Sequence, residues 1–387
     1  MSWALYGRLA LTLVTAMSSG CTFYTACPTG NNNPPNNTGG TNTGGGTNGG
    51  GGSGSNVGGA EPMGMWVPAV ANLNELESEC GNMSFLAVKP GEDKLIASIA
   101  LRGLWQSTDG GDSWTAMGQG AGSDEIANRG NQILFDPTDA TAFWEVGRYN
   151  GTGVFETVDD GETFRAISML QNNDYLTVDF GDPQRRTMLA SGHEVPHQLF
   201  RTVDGGMSFE QLGDRIPSAQ KVCPFPVLID SDTYLLGCGT YGGGKESILR
   251  STDAGETWDV VAEGRGGVAP LFASDGSIYW AGEGAAGIVH STDLGETWST
   301  GLGAGLVGNV PPVELPDGSI AAIGGNHVVL SRDEGKTWAL VSPQLPYAPT
   351  GLVYSEQRKA FYIWHFTCEV GPVPDDVIVR YDFDYRK

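Results

Sequence analysis

STDAGETW (Ser251–Trp258) and STDLGETW (Ser291–Trp298) are near-copies set 40 residues apart. Four looser copies accompany them: STDGGDSW from Ser107, TVDDGETF from Thr157, TVDGGMSF from Thr202 and SRDEGKTW from Ser331. Their aspartates, Asp109, Asp159, Asp204, Asp253, Asp293 and Asp333, step by 50, 45, 49, 40 and 40 residues, and periods of this size mark repeated supersecondary units. Each copy reads as a turn. The Asp side chain accepts hydrogen bonds from backbone amides just ahead of it, and the glycine two positions on (Gly111, Gly161, Gly206, Gly255, Gly295 or Gly335) takes positive φ. The closing aromatic (Trp114, Phe164, Phe209, Trp258, Trp298 or Trp338) starts the next strand and offers a large apolar surface for burial. An apolar, β-rich run precedes every copy, so the unit is strand, turn, strand.

These octapeptides resemble the Asp-box, or bacterial neuraminidase repeat, of sialidases, xyloglucanases, sortilin-type receptors and photosystem II assembly factors. The resemblance covers most of residues 64–387. It implies an all-β fold, a β-propeller whose boxes join the third and fourth strands of each blade on the face opposite the usual ligand site. It is nearly silent on activity, because enzymes and non-enzymes share the repeat. After the sixth box, GLVYSE (from Gly351), AFYIWHF (from Ala360) and VIVRYDFD (from Val377) supply three more strands, while MWVPAV from Met65 is a strand with no box before it. The economical solution is seven blades, with the N-terminal strand completing the seventh. That leaves about 46 residues per blade, room for four strands of roughly five.

Residues 1–63 are a different kind of sequence. Arg8, the run LALTLVTAM and then Ser18, Ser19, Gly20 and Cys21 read as a charged end, a short apolar core and a small-residue cleavage site. The cysteine resembles that of a bacterial lipobox. Residues 1–20 are therefore expected to be a lipoprotein signal peptide, with Cys21 lipidated and the mature chain anchored in the bacterial envelope, at the outer membrane or surface, facing periplasm or exterior. Residues 21–63, dominated by Gly, Asn, Thr and Pro, cannot build a core and read as a flexible tether.

The 22 basic and 45 acidic side chains give a net charge of −23, which argues against nucleic acid, whose affinity depends on cations neutralising phosphates. No cofactor or metal is called for, and a monomer is expected. Beyond Cys21 and Cys27, four cysteines allow three pairings. Cys223 and Cys238 flank the strand pair PFPVLID and TYLLG, which suggests a cross-strand bridge; Cys80 and Cys368 would then staple the ring shut.

Three motifs bear on chemistry. His193-Glu194-Val195-Pro196-His197 matches a zincin string, but Pro196 forbids the helical turn that must set both His on one face. Arg215-Ile216-Pro217 resembles the sialidase signature in which an arginine grips a substrate carboxylate; here it follows the third turn instead of preceding the first. Tyr149 and Tyr241 lie in connectors expected on the ligand side and are the candidates for a sialidase-type tyrosine nucleophile, with Arg215 as the carboxylate grip. Too many acidic residues lie in those connectors to single out a carboxylate pair, among them Glu79, Glu194, Glu246 and Glu283.

Short connectors leave little material for a walled pocket that excludes water. The sequence therefore reads as a non-catalytic binding or assembly platform that engages a protein or glycan on the face opposite the turns. Arg129, Arg148, Tyr149, His193, His197, Arg215, Tyr241, Lys245, Arg265, His327 and His365 are its expected exposed residues. The alternative is an exo-acting, sialidase-like glycoside hydrolase using the central pocket.

Overall fold

The computed structural model describes residues 64–387 apart from 81, 168, 284–286, 304, 307, 308 and 369. The signal peptide, Cys21 and the tether lie outside the described residues.

Seven four-stranded antiparallel sheets follow one another along the chain as the blades of a β-propeller. Blade 1 is Met83–Val88, Leu95–Ile99, Gly103–Ser107 and Thr115–Ala116. Blade 2 is Arg129–Phe135, Phe143–Arg148, Val154–Thr157 and Arg165–Ala166; blade 3 is Asn173–Val178, Met188–Gly192, Leu199–Thr202 and Glu210–Gln211. Blade 4 (Phe225–Leu228, Tyr234–Cys238, Ser247–Ser251, Asp259–Glu263), blade 5 (Leu271–Phe272, Ile278–Ala281, Ile288–Ser291, Ser299–Leu302) and blade 6 (Val313–Glu314, Ile320–Gly324, His327–Ser331, Ala339–Leu340) repeat the order. Blade 7 takes Gly351–Ser355, Ala360–Trp364 and Ile378–Asp382 from the end of the chain, and Val67–Pro68 from its start as the fourth strand, with Val67 opposite Arg380 and Pro68 opposite Val379. The ring closes through this strand. A small extra pair, Glu77–Ser78 with Gly371–Pro372, adds to the same seam.

Each blade lies between two others, so its first two strands are apolar on both faces: Met83–Val88, Leu95–Ile99 and Ala360–Trp364 are buried throughout. Trp144, Trp280 and Trp364 fill the spaces between blades. First strands are also stitched to their neighbours around the axis. Ser84 Oγ donates to Gly130 O at 2.7 Å, Asn131 Nδ2 donates to Asp174 O at 2.7 Å, and the Leu228 amide donates to Thr177 Oγ1 at 3.3 Å.

The six repeated octapeptides fold alike. In each, the leading Ser or Thr hydroxyl donates to Asp Oδ1 at 2.7–2.9 Å and accepts from the amide of the conserved-position glycine at 2.8–3.0 Å. The amide and hydroxyl of the second Ser or Thr then donate to the two Asp oxygens, as Thr257 does to Asp253 at 2.8 and 2.6 Å. The glycine is needed twice over. Gly111 has φ of 92°, and a Cβ there would lie 2.6 Å from the Ala69 carbonyl oxygen, against which the turn of blade 1 closes. Trp114 Nε1 donates to that same carbonyl at 3.1 Å, tying the turn to the residue just after the closing strand. Ion pairs link blades on the turn side: Lys89 and Lys94 with Asp160 (2.7 and 2.5 Å), Arg185 with Asp136 (2.7 Å) and Arg358 with Asp93 (2.7 Å).

Cys223 and Cys238 form a disulfide across the first two strands of blade 4. Cys80 and Cys368 are not joined to each other, contrary to the expectation from sequence. The strand pair beside them ends at Ser78 and begins at Gly371, so no ladder holds Cys80 against Cys368.

Candidate functional site

In an antiparallel meander alternate connectors leave opposite ends of the sheet. The six turns share one face of the disc with the loops between first and second strands. The other face carries the loops between second and third strands and the blade-to-blade connectors. Tyr149, Asn150, Asn172, Glu194 and His197 sit on that other face, in blades 2 and 3, and all five have left-handed backbone, with φ from 52° to 60°. Outside the repeated turns, the remaining non-glycine residues of this kind (Ala71, Leu101, Arg185 and Lys359) are scattered. Strained backbone concentrated in adjoining loops points to a site, because it persists only where the surroundings hold it.

Here a chain of polar contacts runs from the interior outwards. Asp174, on the first strand of blade 3, is 2.8 Å from Nδ1 of His193, and Nε2 of His193 is 2.8 Å from the Tyr149 hydroxyl. Arg148 stands behind Asp174 at 3.8 Å and donates to Asn131 Oδ1 at 2.8 Å. The Tyr149 backbone is held by Asn172, whose side-chain oxygen accepts its amide at 3.0 Å. The Arg129 guanidinium lies 4.6 Å over the Tyr149 ring, and its Nε pairs with Glu79 at 3.0 Å. Glu194 brings a carboxylate to 3.6 Å from His193 Nε2. Burial first, then the Glu194 charge, holds the Tyr149 phenol above its ordinary value. The same two causes, with a hydrogen bond to Glu194, raise Tyr241. Tyr149 and Tyr241 are each 38% exposed.

Tyr149 and Tyr241 both feel the Glu194 charge, whereas Arg215 is elsewhere. Its guanidinium pairs with Glu210 at 2.8 Å and with Glu256, inside the turn of blade 4, at 3.3 Å, so it does not join the tyrosines. Arg148 and His193 are buried, not exposed as the sequence suggested. His193 and His197 have different partners, Asp174 for the first and the Gln220 carbonyl at 2.9 Å for the second. No group of three metal-ligating side chains occurs among the described residues. Glu246 and Glu283, on the same face in blades 4 and 5, are committed to loop backbone: Glu246 accepts the amides of Glu283 (2.6 Å) and Gly267 (3.2 Å), and Glu283 accepts the Thr240 amide (3.0 Å) and hydroxyl (2.5 Å). Asp174 was missed in the sequence, having no motif around it; its place at the head of a blade's first strand was the one available signal.

Fold and site define a seven-bladed β-propeller with an ordered polar cluster on the face away from its turns. No protein-family model matches the chain, and no curated protein matches it. Among solved structures it is similar to YCF48 bound to a D1 peptide, with a TM-score of 0.51 and 17% identity over 84% of this chain and 99% of that one. The extracellular domain of BT4673 from B. thetaiotaomicron gives a TM-score of 0.51 at 9% identity, over 82% of this chain and 40% of that one. The GH74 xyloglucanase from Xanthomonas campestris gives 0.49 at 16%, over 81% of this chain and 55% of that one. At these identities the likeness is one of fold.

Proposed function

We propose that the protein is an exported, lipid-anchored propeller that acts as a non-catalytic binding or assembly platform, engaging its partner through the loops of blades 2 and 3. One observation carries this reading: the strained loops converge on a cluster in which Asp174, His193, Arg148 and Arg129 are held by internal partners, while the rings of Tyr149 and Tyr241 stay open to solvent. A fixed surface of this kind is suited to recognition, because little ordering remains to be done on binding. The cluster's arginines are turned to internal partners, Arg129 to Glu79 and Arg148 to Asn131, instead of towards a substrate carboxylate as in a sialidase. YCF48 in complex with a D1 peptide is a propeller of the same fold that holds a peptide, which is consistent with a protein ligand here. The signal-like residues 1–20, Cys21 and the tether to residue 63 support export and anchoring.

The test is binding of the full chain to peptide and oligosaccharide arrays, compared with a Tyr149→Ala/Tyr241→Ala double variant and with Arg215→Ala. Retention that is lost in the double variant and kept in Arg215→Ala supports the platform and its location. Retention unaffected by the double variant moves the site elsewhere.

A further inference from the structure

We propose that the spot bounded by Tyr149, Glu194 and Tyr241 takes a cationic hydrogen-bond donor, the side chain of an arginine or lysine presented by a protein partner. This rests on the platform reading above and names its ligand chemistry.

Hydrogen-bond direction decides it. The Asp174 carboxylate only accepts, so the proton of a neutral His193 sits on Nδ1, and Nε2 is left as an acceptor. Tyr149 must then donate its proton inward to His193, and what it turns outward is an oxygen lone pair. Glu194 also only accepts, and among the described ion pairs its partner is His193, with no lysine or arginine on it. The Tyr241 loop adjoins the Glu194–His197 loop through Lys221, whose carbonyl accepts the His197 amide at 2.8 Å and whose ammonium donates to the Gly242 carbonyl at 2.9 Å, and the Glu194 charge reaches the Tyr241 phenol.

Three of the donors in these loops are already engaged. The Asn150 amide bonds Glu79 and the Ala127 carbonyl, Arg129 Nε pairs with Glu79, and Lys221 is bound to the Gly242 carbonyl at 2.9 Å. The three outward groups therefore offer acceptors and negative charge beside two tyrosine rings. An ammonium with three N–H donors or a guanidinium with five satisfies them, and either cation gains from the Tyr241 ring, one face of the Tyr149 ring being already covered by Arg129. A carboxylate or phosphate would meet lone pairs. Left-handed backbone at Tyr149 (φ 60°) and Glu194 (φ 57°) fixes both groups before anything binds. The net charge of −23 favours encounter with basic partners.

The test uses the full chain and fluorescent nonapeptides that differ only at the central residue: arginine, lysine, glutamate, or citrulline, which keeps the shape of arginine without its charge. Anisotropy is read at low and high salt, with chitohexaose and xyloglucan oligosaccharide as competitors. Arginine and lysine peptides should bind, citrulline about tenfold more weakly and glutamate not at all, with affinity falling as salt rises. Glu194→Gln, a near-isosteric change at a half-exposed side chain, should remove the arginine-over-citrulline preference. Tyr241→Phe should weaken the arginine peptide about threefold by the loss of one hydroxyl. Equal binding of arginine and citrulline, or a preference that survives Glu194→Gln, overturns the cation assignment. Binding of an oligosaccharide or neutral peptide that is lost in Tyr149→Ala overturns it while leaving the platform standing. Failure of every probe sinks both.

Discussion

The Tyr149 hydroxyl lies 2.8 Å from Nε2 of His193, although the two residues belong to different blades and stand 44 positions apart. Their rings meet edge to face, with centroids 5.0 Å apart. Behind them Asp174 fixes the imidazole, so one buried carboxylate sets the direction of a hydrogen bond that ends at the surface.

Asp174→Ala should therefore unsettle both blades. It strips His193 of its partner and removes a carboxylate 3.8 Å from the buried Arg148. A loss of about 2–4 kcal/mol is expected in urea unfolding. Tyr149→Phe, which deletes one hydroxyl, should cost about 1 kcal/mol. Equal, negligible losses would mean that the chain of contacts carries no stability.

Glu145 makes stability depend on pH at the alkaline end. It is fully buried on the second strand of blade 2, with Asn128 Nδ2 donating to it at 3.0 Å, and burial pushes its carboxyl from 4.5 up to about 8. The folded chain thus holds this proton more tightly than the unfolded chain does. Its contribution is whole below about pH 4.5 and drains away as pH rises through about 8. The unfolding free energy from urea titration should fall between pH 6 and 9 by on the order of 2–3 kcal/mol. Glu145→Gln should flatten that slope.

The repeated turns govern the acid end with the opposite sign. Hydrogen bonds from Thr257 and Thr337, with those from Ser251 and Ser331, hold Asp253 and Asp333 at about 2. Asp204 is held at about 2 by Ser208 and Thr202. Their support is present above pH 3.8 and is lost as pH falls toward 2. Circular dichroism across pH 4 to 2 should show unfolding that begins at higher pH when Asp253 and Asp333 are both changed to Asn.

The Cys223–Cys238 bridge closes a loop of 15 residues, for which chain-entropy reasoning expects about 3 kcal/mol. A Cys223→Ser/Cys238→Ser chain should melt several degrees lower, and reductant should lower the wild type to match. Reductant should then leave the double variant unchanged.

Blade number and closure were legible from sequence because their signals are local. Each turn satisfies itself within eight residues, from Ser251 to Trp258 for example, so the string and the hydrogen bonds are one object. The unboxed strand near Met65 could be matched to the three strands after Gly351 by counting alone. The site was legible only in part. Tyr149, Tyr241 and Glu194 lay in loops that the repeat assigns to one face, but Asp174 reads as an ordinary strand residue until blade 3 is folded. Arg215 could not be placed from its three-residue string, which says nothing of radial position; its place beside Glu256 is set by the packing of blade 3 against blade 4. Cys80 and Cys368 were paired from their places beside the closing strand and in the last blade, but the seam ladder ends before it reaches either of them.

The platform reading is tested most directly by turnover. The full chain, shown to be folded by its melting transition, would be incubated with fluorogenic α-sialosides, a panel of other glycosides and xyloglucan oligosaccharides, beside its Tyr149→Phe variant. The account predicts no hydrolysis by either protein on any substrate. Hydrolysis by the wild type that disappears in Tyr149→Phe would contradict it and make the Asp174–His193–Tyr149 chain catalytic.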